Sequence, residues 1–116
     1  MEIRLKRIYE TPSEADGLRV LVDRLWPRGI KKDDAKVDLW VKTLAPTTAL
    51  RKWFDHDVAK WNEFRTMYSD EIRNNDDFKT LVERISAEPV VTLLFGAKDT
   101  EHNNAVVLAE MVKNTL

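Results

Sequence analysis

Three short segments of the chain have the hydrophobic pattern of β-strands. Apolar and charged residues alternate along "IRLKRI" (3–8), which is typical of a strand with one buried face. The segments "RVLVDRL" (19–25) and "PVVTLLF" (89–95) are almost continuously apolar and rich in β-branched residues. Strands of that composition are usually covered on both faces, so these two are expected at the centre of a sheet.

Four further segments have the pattern of helices. "TTALRKWF" begins with Thr47 or Thr48, either of which is a suitable N-cap. Apolar residues recur every three or four positions in "VAKWNEFRTMYSDEIRNN" and again in "DDFKTLVERIS". Asp57, which comes directly before the first of these two segments, is a candidate N-cap. "HNNAVVLAEMVKNT" is apolar almost all round, which predicts a buried helix that follows the last strand directly.

This order of elements predicts an α/β fold. The link "YETPSEADG" between the first two strands is too short for a crossover helix, so these strands either form a hairpin or are not adjacent. We expect a single domain over residues 1–116, with a small mixed, partly parallel sheet covered by about four helices. No repeat, low-complexity tract or linker indicates a second domain.

Composition excludes several kinds of chemistry. The chain has 116 residues and no cysteine, so disulfides, thiolate metal sites and a cysteine nucleophile are excluded. A net charge of -1 argues against nucleic-acid binding driven by global charge, although cations outnumber acids between residues 19 and 42. No apolar run is long enough to span a bilayer, and we expect a cytoplasmic protein without a membrane partner. No motif indicates a cofactor.

The first strand-end segment, "DRLWPRG", is the first candidate site. Pro27 and Gly29 favour a sharp, fixed turn. Arg24 and Arg28 offer planar donors for a phosphate or carboxylate, and Trp26 offers a stacking face. The structural alternative is that Asp23 pairs with an arginine, Trp26 fills the core and the following lysines are solvated.

The second candidate site is "GAKDTEHNN", at the carboxyl end of the other central strand, where open α/β sheets usually bind ligands. Asp99 or Thr100 could cap the last helix, whose positive N-terminal end would attract an anion together with Lys98. The polar residues of its first turn would line the same pocket: His102, Asn103 and Asn104. The alternative is a capped helix end without a ligand.

Other catalytic arrangements find little support. His56 lies between Asp55 and Asp57, but three consecutive residues do not converge easily on one ion, so we predict no metal site. None of the three serines lies in a nucleophile elbow. The remaining acid–base candidates are Asp23, Asp99 and His102.

Several successive motifs carry a family resemblance: "RVLVDRLWPRGIKK", "LWVKTLAPTTALRKWFDHD", "KWNEFRTMY" and "VTLLFGAKDTEHNNAVVLAEMV". In this order they resemble the YeaO-like family of small bacterial proteins, within a larger superfamily of domains of unknown function. The resemblance covers almost the whole chain and implies no particular activity.

The wider superfamily is typified by an Asp-Val-Arg loop followed by proline, and by a Cys-His-Arg segment before the last helix. This chain is similar to the first motif at Asp23, Arg24, Pro27 and Arg28. It departs from the second, because cysteine is absent and Asn103 and Asn104 stand where a His-Arg pair is expected. The departure excludes any reactive-thiol mechanism and leaves ligand binding open.

Three functional hypotheses remain. In the first, both loops form one pocket for a small anion, such as a nucleotide or a phosphorylated metabolite, held by the following residues: Arg24, Trp26, Arg28, Gly29, Lys98, Asn103 and Asn104. In the second, the basic loop from Arg24 to Lys42, with its tryptophans, binds nucleic acid or protein. In the third, these residues are structural and the functional surface is a homodimer interface.

Overall fold

The computed structural model describes all 116 residues and contains a four-stranded sheet. Its strands are β1 (Glu2–Arg7), β2 (Leu18–Leu21), β3 (Leu39–Trp40) and β4 (Val90–Phe95), in the order β1-β4-β2-β3. The predicted α/β class is confirmed, with one correction: all three strand pairings are parallel, where a mixed sheet was predicted. The first two strands are not adjacent, because β4 lies between them.

Five helices accompany the sheet: α1 (Lys32–Ala35), α2 (Thr48–Phe54), α3 (Trp61–Arg73), α4 (Asp76–Ile85) and α5 (Asn104–Thr115). The four predicted helices correspond to α2 to α5. Thr47 is the N-cap of α2, where its hydroxyl accepts a hydrogen bond from the Leu50 N–H at 3.3 Å. None of the helices has the length and apolar character needed to cross a membrane.

The main core lies between one face of the sheet and helices α2 to α5. Alternate residues of β2 and β4 point into it, including Val20 and Leu93, which are fully buried. Phe54, Phe64 and Tyr68 form a continuous aromatic row against them, with Phe54 and Phe64 stacked at 4.2 Å between ring centroids. This core confirms that β2 and β4 are the two buried inner strands.

The opposite face of the sheet is covered by loops and by the short helix α1. A small apolar cluster there contains Ile8, Leu21, Ala35 and Leu94. Beside it, the Asp16 carboxylate contacts Arg19 Nη1 at 2.6 Å and Lys6 Nζ at 3.1 Å. Arg19 Nη2 also donates to the Ala35 carbonyl at 2.8 Å, so the buried ion pair fixes α1 to the sheet.

Hydrogen bonds keep Asp16 ionised in this position. Burial by itself would raise the pKa of Asp16, but hydrogen bonds from the Ser13 N–H, Lys6 and Arg19 outweigh burial and lower the pKa below its ordinary value. The Thr92 hydroxyl donates to the Asp16 backbone carbonyl at 2.7 Å. The network therefore joins β1, β2 and β4 on the face that carries no long helix.

Candidate functional site

The two strand-end loops meet in space. The Gly96 N–H donates to Asp23 Oδ2 at 2.8 Å, and Asn104 Nδ2 donates to Asp23 Oδ1 and to the Val22 carbonyl, each at 3.1 Å. These bonds join the segment that follows β2 to the segment that follows β4 and to the first turn of α5. Because parallel strands end at the same edge of a sheet, residues distant in sequence converge there.

A cavity of about 520 Å³ opens at this edge. Its volume is typical of pockets that hold small organic ligands. It is lined by residues from both loops and from α2 and α3: Tyr9, Asp23, Arg24, Leu25, Trp26, Pro27, Arg28, Ala45, Pro46, Arg51, Phe54, His56, Phe64, Gly96, Ala97, Asn103 and Asn104.

The charged groups of the lining are mainly cationic. Arg24, Arg28 and Arg51 line the cavity together with His56, whereas Asp23 is the single acidic side chain. Arg28 and Arg51 are exposed, and their side chains form no hydrogen bond or ion pair within the chain, so both guanidinium groups are free to meet a ligand.

Arg24 is held more firmly than the other two arginines. Its Nη2 donates to the carbonyls of Ala45 at 3.2 Å and Pro46 at 3.3 Å, which fixes the segment before α2 against the loop after β2. Its Nε is buried and has no hydrogen-bond partner. A buried donor without an acceptor is unfavourable by roughly 1–3 kcal/mol, which the two hydrogen bonds of Nη2 offset in part.

Asp23 lies in a partly desolvated position. Burial raises the pKa of its carboxyl group, and the hydrogen bonds from Gly96 and Asn104 offset only part of that rise. Asp23 forms no ion pair with an arginine, so that part of the structural alternative is wrong. It is the acid–base candidate that faces the cavity.

Trp26 contributes to the cavity lining and to the fold. Its indole N–H donates to the Ile30 carbonyl at 2.7 Å, and its ring packs edge to face against Trp40 at 5.5 Å between centroids. The Trp40 indole N–H in turn donates to the Asp23 carbonyl at 2.7 Å. The two tryptophans therefore lock the turn after β2, which includes Gly29 at a φ of 79°.

Four of the predicted site residues lie outside the cavity lining: Gly29, Lys98, Asp99 and His102. Asp99 Oδ1 accepts hydrogen bonds from the backbone N–H groups of Glu101 and His102, which lower the pKa of Asp99. The His102 ring approaches Asp99 Oδ2 at 3.0 Å and packs edge to face on Trp61. Both side chains thus stabilise the loop before α5.

The N-cap of α5 is Asn103, so the prediction of Asp99 or Thr100 at this position is wrong. Asn103 Oδ1 accepts from the Val106 N–H at 3.1 Å, and its Nδ2 donates to the Asp99 carbonyl at 2.9 Å. Asp99 instead closes the preceding turn. The buried Asn103 therefore connects that turn to the helix and borders the cavity with its neighbour Asn104.

Several lining residues carried no recognisable signal in the sequence. Arg51 lies on α2, and His56 follows it in a tight turn where Asp55 and His56 have φ values of 45° and 56°. Tyr9 comes from the end of β1, with its ring under the Arg7 guanidinium at 5.2 Å. Only the three-dimensional fold brings these residues to the strand ends. No group of three or more His, Asp or Glu side chains is arranged to hold a metal ion.

The fold and the cavity define a class: an α/β protein with a cation-rich cavity at the carboxyl ends of its parallel strands. The chain belongs to the family described as the inactive DUF488-N3 subclade, whose model matches residues 2–116. This agrees with the family resemblance seen in the sequence.

Two relatives extend the comparison. The chain is 41% identical over 114 residues to the uncharacterized protein YeaO of Escherichia coli (strain K12), covering 98% of this chain and 99% of that protein. It is 36% identical over 110 residues to the uncharacterized protein Rv3073c of Mycobacterium tuberculosis (strain H37Rv), covering 95% and 92% of the two chains. No solved structure matches the chain significantly.

Proposed function

We propose that the protein binds a small anionic molecule, a nucleotide or a phosphorylated metabolite, in the cavity between the two strand-end loops. The observation that carries the proposal is the convergence of three arginines, Arg24, Arg28 and Arg51, on one cavity with a single carboxylate. Planar guanidinium groups suit phosphate and carboxylate oxygens because they donate two parallel hydrogen bonds.

Two further features support an anion. The charge of Arg24 is not neutralised by a carboxylate of the chain, because its Nη2 donates only to the backbone carbonyls of Ala45 and Pro46. The positive end of the α5 dipole also borders the cavity, since Asn103 and Asn104 line it. Apolar surface from Phe54, Phe64 and Trp26 suits the organic part of the ligand.

The chemistry of the cavity supports binding more than catalysis. The matched family is described as inactive, and the chain has no cysteine. Of the three acid–base candidates, Asp23 alone lines the cavity, whereas Asp99 and His102 serve the preceding loop. Asp23 remains the residue to test for proton transfer once a ligand is known.

The test is a titration of isotopically labelled protein, followed by amide chemical shifts, with inorganic phosphate and a panel of nucleotides. We expect saturating shifts shared by residues 24–29 and 96–104. Arg28→Ala and Arg51→Ala should each weaken binding about tenfold, the range of one charge-assisted hydrogen bond. Their unfolding free energies should stay within about 0.5 kcal/mol of wild type, because neither side chain has a partner in the fold.

Lys52→Ala is the matched control, since Lys52 is exposed beside Arg51 on α2 and does not line the cavity. It should bind the anion as the wild type does. Absence of saturating shifts with every anion, or equal losses in all three variants, would contradict the proposed function.

A nucleic-acid interface is the second candidate, because the segment from Arg24 to Lys42 presents exposed cations: Arg28, Lys31, Lys32, Lys36 and Lys42. Base stacking on the tryptophans is limited, because the Lys42 ammonium lies over the Trp40 ring at 4.9 Å. The indole N–H groups of Trp26 and Trp40 also donate to backbone carbonyls, which holds both rings in place. A short single-stranded oligonucleotide in the same titration tests it. Shifts confined to residues 26–42 that vanish steeply with salt would favour this candidate.

A further inference from the structure

Asp23 is an unexpected residue in a cavity for an anion. It is the single acid in a lining that contains three arginines and a histidine. A carboxylate repels a bound anion, and this repulsion is strong where solvent screening is reduced. A cavity that served an anion alone would be better lined without it.

The Asp23 carboxylate also has unused acceptor capacity. Each of its oxygens accepts one hydrogen bond within the chain, Oδ2 from the Gly96 N–H and Oδ1 from Asn104 Nδ2. An ionised carboxylate offers about four acceptor positions, so roughly two remain. No arginine or lysine of the chain occupies them, although Arg24 is its direct neighbour in sequence.

Asp23 and two of the three arginines lie at different depths. Asp23 is half-buried at the sheet edge, bonded to the ends of β4 and α5, whereas Arg28 and Arg51 are exposed. A ligand that satisfies both must present its anionic group toward the exposed arginines and a hydrogen-bond donor toward the sheet. Phe54, Phe64 and Trp26 supply apolar and aromatic surface to the same cavity.

From this arrangement we infer that the ligand carries an amino group opposite its anionic group, and that Asp23 accepts a hydrogen bond from that amino group. The class that combines these features with an aromatic ring is an aminated nucleoside phosphate. This inference rests on the proposed function and narrows it to one ligand class, because the position of Asp23 selects for the donor.

The inference is tested with a matched pair of probes and the full chain. Adenosine 5′-monophosphate and purine riboside 5′-monophosphate differ only in the exocyclic amino group, and inorganic phosphate is titrated beside them. Calorimetry should show that the wild type binds adenosine 5′-monophosphate with roughly 10- to 100-fold higher affinity than purine riboside 5′-monophosphate, the range of one hydrogen bond to a charged group. The comparison needs no variant and therefore does not depend on the folding of a mutant.

Asp23→Asn provides the second measurement, with Glu83→Gln as control because Glu83 is exposed on α4 and lies outside the cavity. Asp23→Asn should reduce the preference for the amino group, because the amide oxygen is a neutral and weaker acceptor. It should leave phosphate affinity equal or higher, whereas Glu83→Gln should change neither the preference nor the phosphate affinity. Equal affinities of the two nucleotides for the wild type would overturn the inference. Binding of phosphate without binding of either nucleotide would also overturn the inference. Each of these two results would leave the proposed function intact. Absence of binding by all three probes would overturn the inference and the proposed function together.

Discussion

The Asp23 carboxylate accepts a 2.8 Å hydrogen bond from the backbone N–H of Gly96, 73 residues further along the chain. A Cβ at position 96 would lie 3.2 Å from Asp23 Oδ2, closer than an ordinary contact. Glycine therefore allows the carboxylate to approach the backbone at the end of β4. Together with the hydrogen bonds from Asn104, this contact joins the two loops that form the cavity.

Replacement of Asp23 by alanine is expected to lower the free energy of unfolding by about 1–3 kcal/mol, because the Gly96 N–H and Asn104 lose their acceptor. Urea denaturation measures this loss. Glu83→Ala is the control, because the Glu83 side chain is exposed and its carboxylate forms no hydrogen bond or ion pair within the chain, and it should change stability by less than about 0.5 kcal/mol. Equal urea midpoints for the two variants would contradict the structural role of Asp23.

Mild acid should stabilise the wild type relative to Asp23→Asn. Burial raises the folded-state pKa of Asp23 above its value in the unfolded chain, so the folded state binds the proton more readily. The unfavourable contribution of the ionised group is present above the folded pKa and disappears as pH falls toward the ordinary value of about 3.9. The measurement is the melting temperature of the wild type and of Asp23→Asn between pH 7 and pH 4.5. The melting temperature of the wild type should rise relative to that of the variant as the pH falls, and a constant difference between the two would refute the expectation.

Asp16 should show the opposite dependence on pH. Its folded pKa is lowered, so its stabilising contribution is complete above the unfolded pKa and is lost as pH falls through the folded value. Asp16→Asn should lower stability by about 3 kcal/mol at neutral pH, because it leaves Arg19 buried without a counter-charge. The gap between variant and wild type should narrow below about pH 4.

Asp70→Asn is the control for Asp16, since the Asp70–Arg73 ion pair is solvent-exposed. It should cost less than about 1 kcal/mol. Chemical denaturation at several pH values measures both variants. If Asp16→Asn and Asp70→Asn lower the free energy of unfolding equally at neutral pH, the buried network around Asp16 does not stabilise the fold as described.

Tyr68 should resist ionisation while the chain is folded. Its side chain is fully buried, its hydroxyl donates to the Leu44 carbonyl at 2.6 Å, and burial raises its pKa. In a Tyr9→Phe variant Tyr68 is the remaining tyrosine, so tyrosinate absorbance reports on it alone. We expect no absorbance rise near pH 10 until circular dichroism shows unfolding, and a rise in a still native protein would be the contrary result.

Gly17 and Gly29 form a matched pair for a backbone test. Both have positive φ, 63° and 79°, but a Cβ at Gly17 would overlap the Val90 carbonyl oxygen, whereas one at Gly29 would meet nothing within 4 Å. Gly29→Ala should therefore cost about 1–2 kcal/mol of backbone strain. Gly17→Ala should lower the free energy of unfolding at least twice as much as Gly29→Ala, as measured by thermal or urea unfolding. Similar losses in the two variants would show that the backbone near Val90 moves to accommodate the added Cβ.

Much of the fold follows from hydrophobic periodicity. The continuous apolarity of β2 and β4 predicted two inner strands, and the stripes of α3 and α4 predicted helices at the observed positions. The short elements α1 and β3 gave no such signal, because four and two residues span only about one helical or strand repeat, and a periodic pattern needs several repeats to be seen. The prediction of a mixed sheet was wrong because the short link between β1 and β2 does not show that a later strand, β4, lies between them.

The site was predictable only in part. Asp23, Arg24, Trp26, Arg28, Asn103 and Asn104 were recognised from their positions after apolar strands, and all of them line the cavity. Arg51 and His56 were missed because their positions depend on how α2 packs across the sheet edge. The other predicted site residues do not line the cavity: Gly29, Lys98, Asp99 and His102. The sequence did not show that Asn103 caps α5 and that Asp99 closes the turn before it.

The late position of β4 in the chain has a consequence for synthesis. β1 pairs with β4 alone, and β2 is joined to β1 only through β4. A nascent chain that has not yet emerged beyond Phe95 therefore has β1 and the buried strand β2 without the strand that unites them. Pairing across so many residues is slow, and unpaired strands are prone to aggregate. The cavity, whose two loops both depend on β4, can therefore form only after β4 and the start of α5 have left the ribosome.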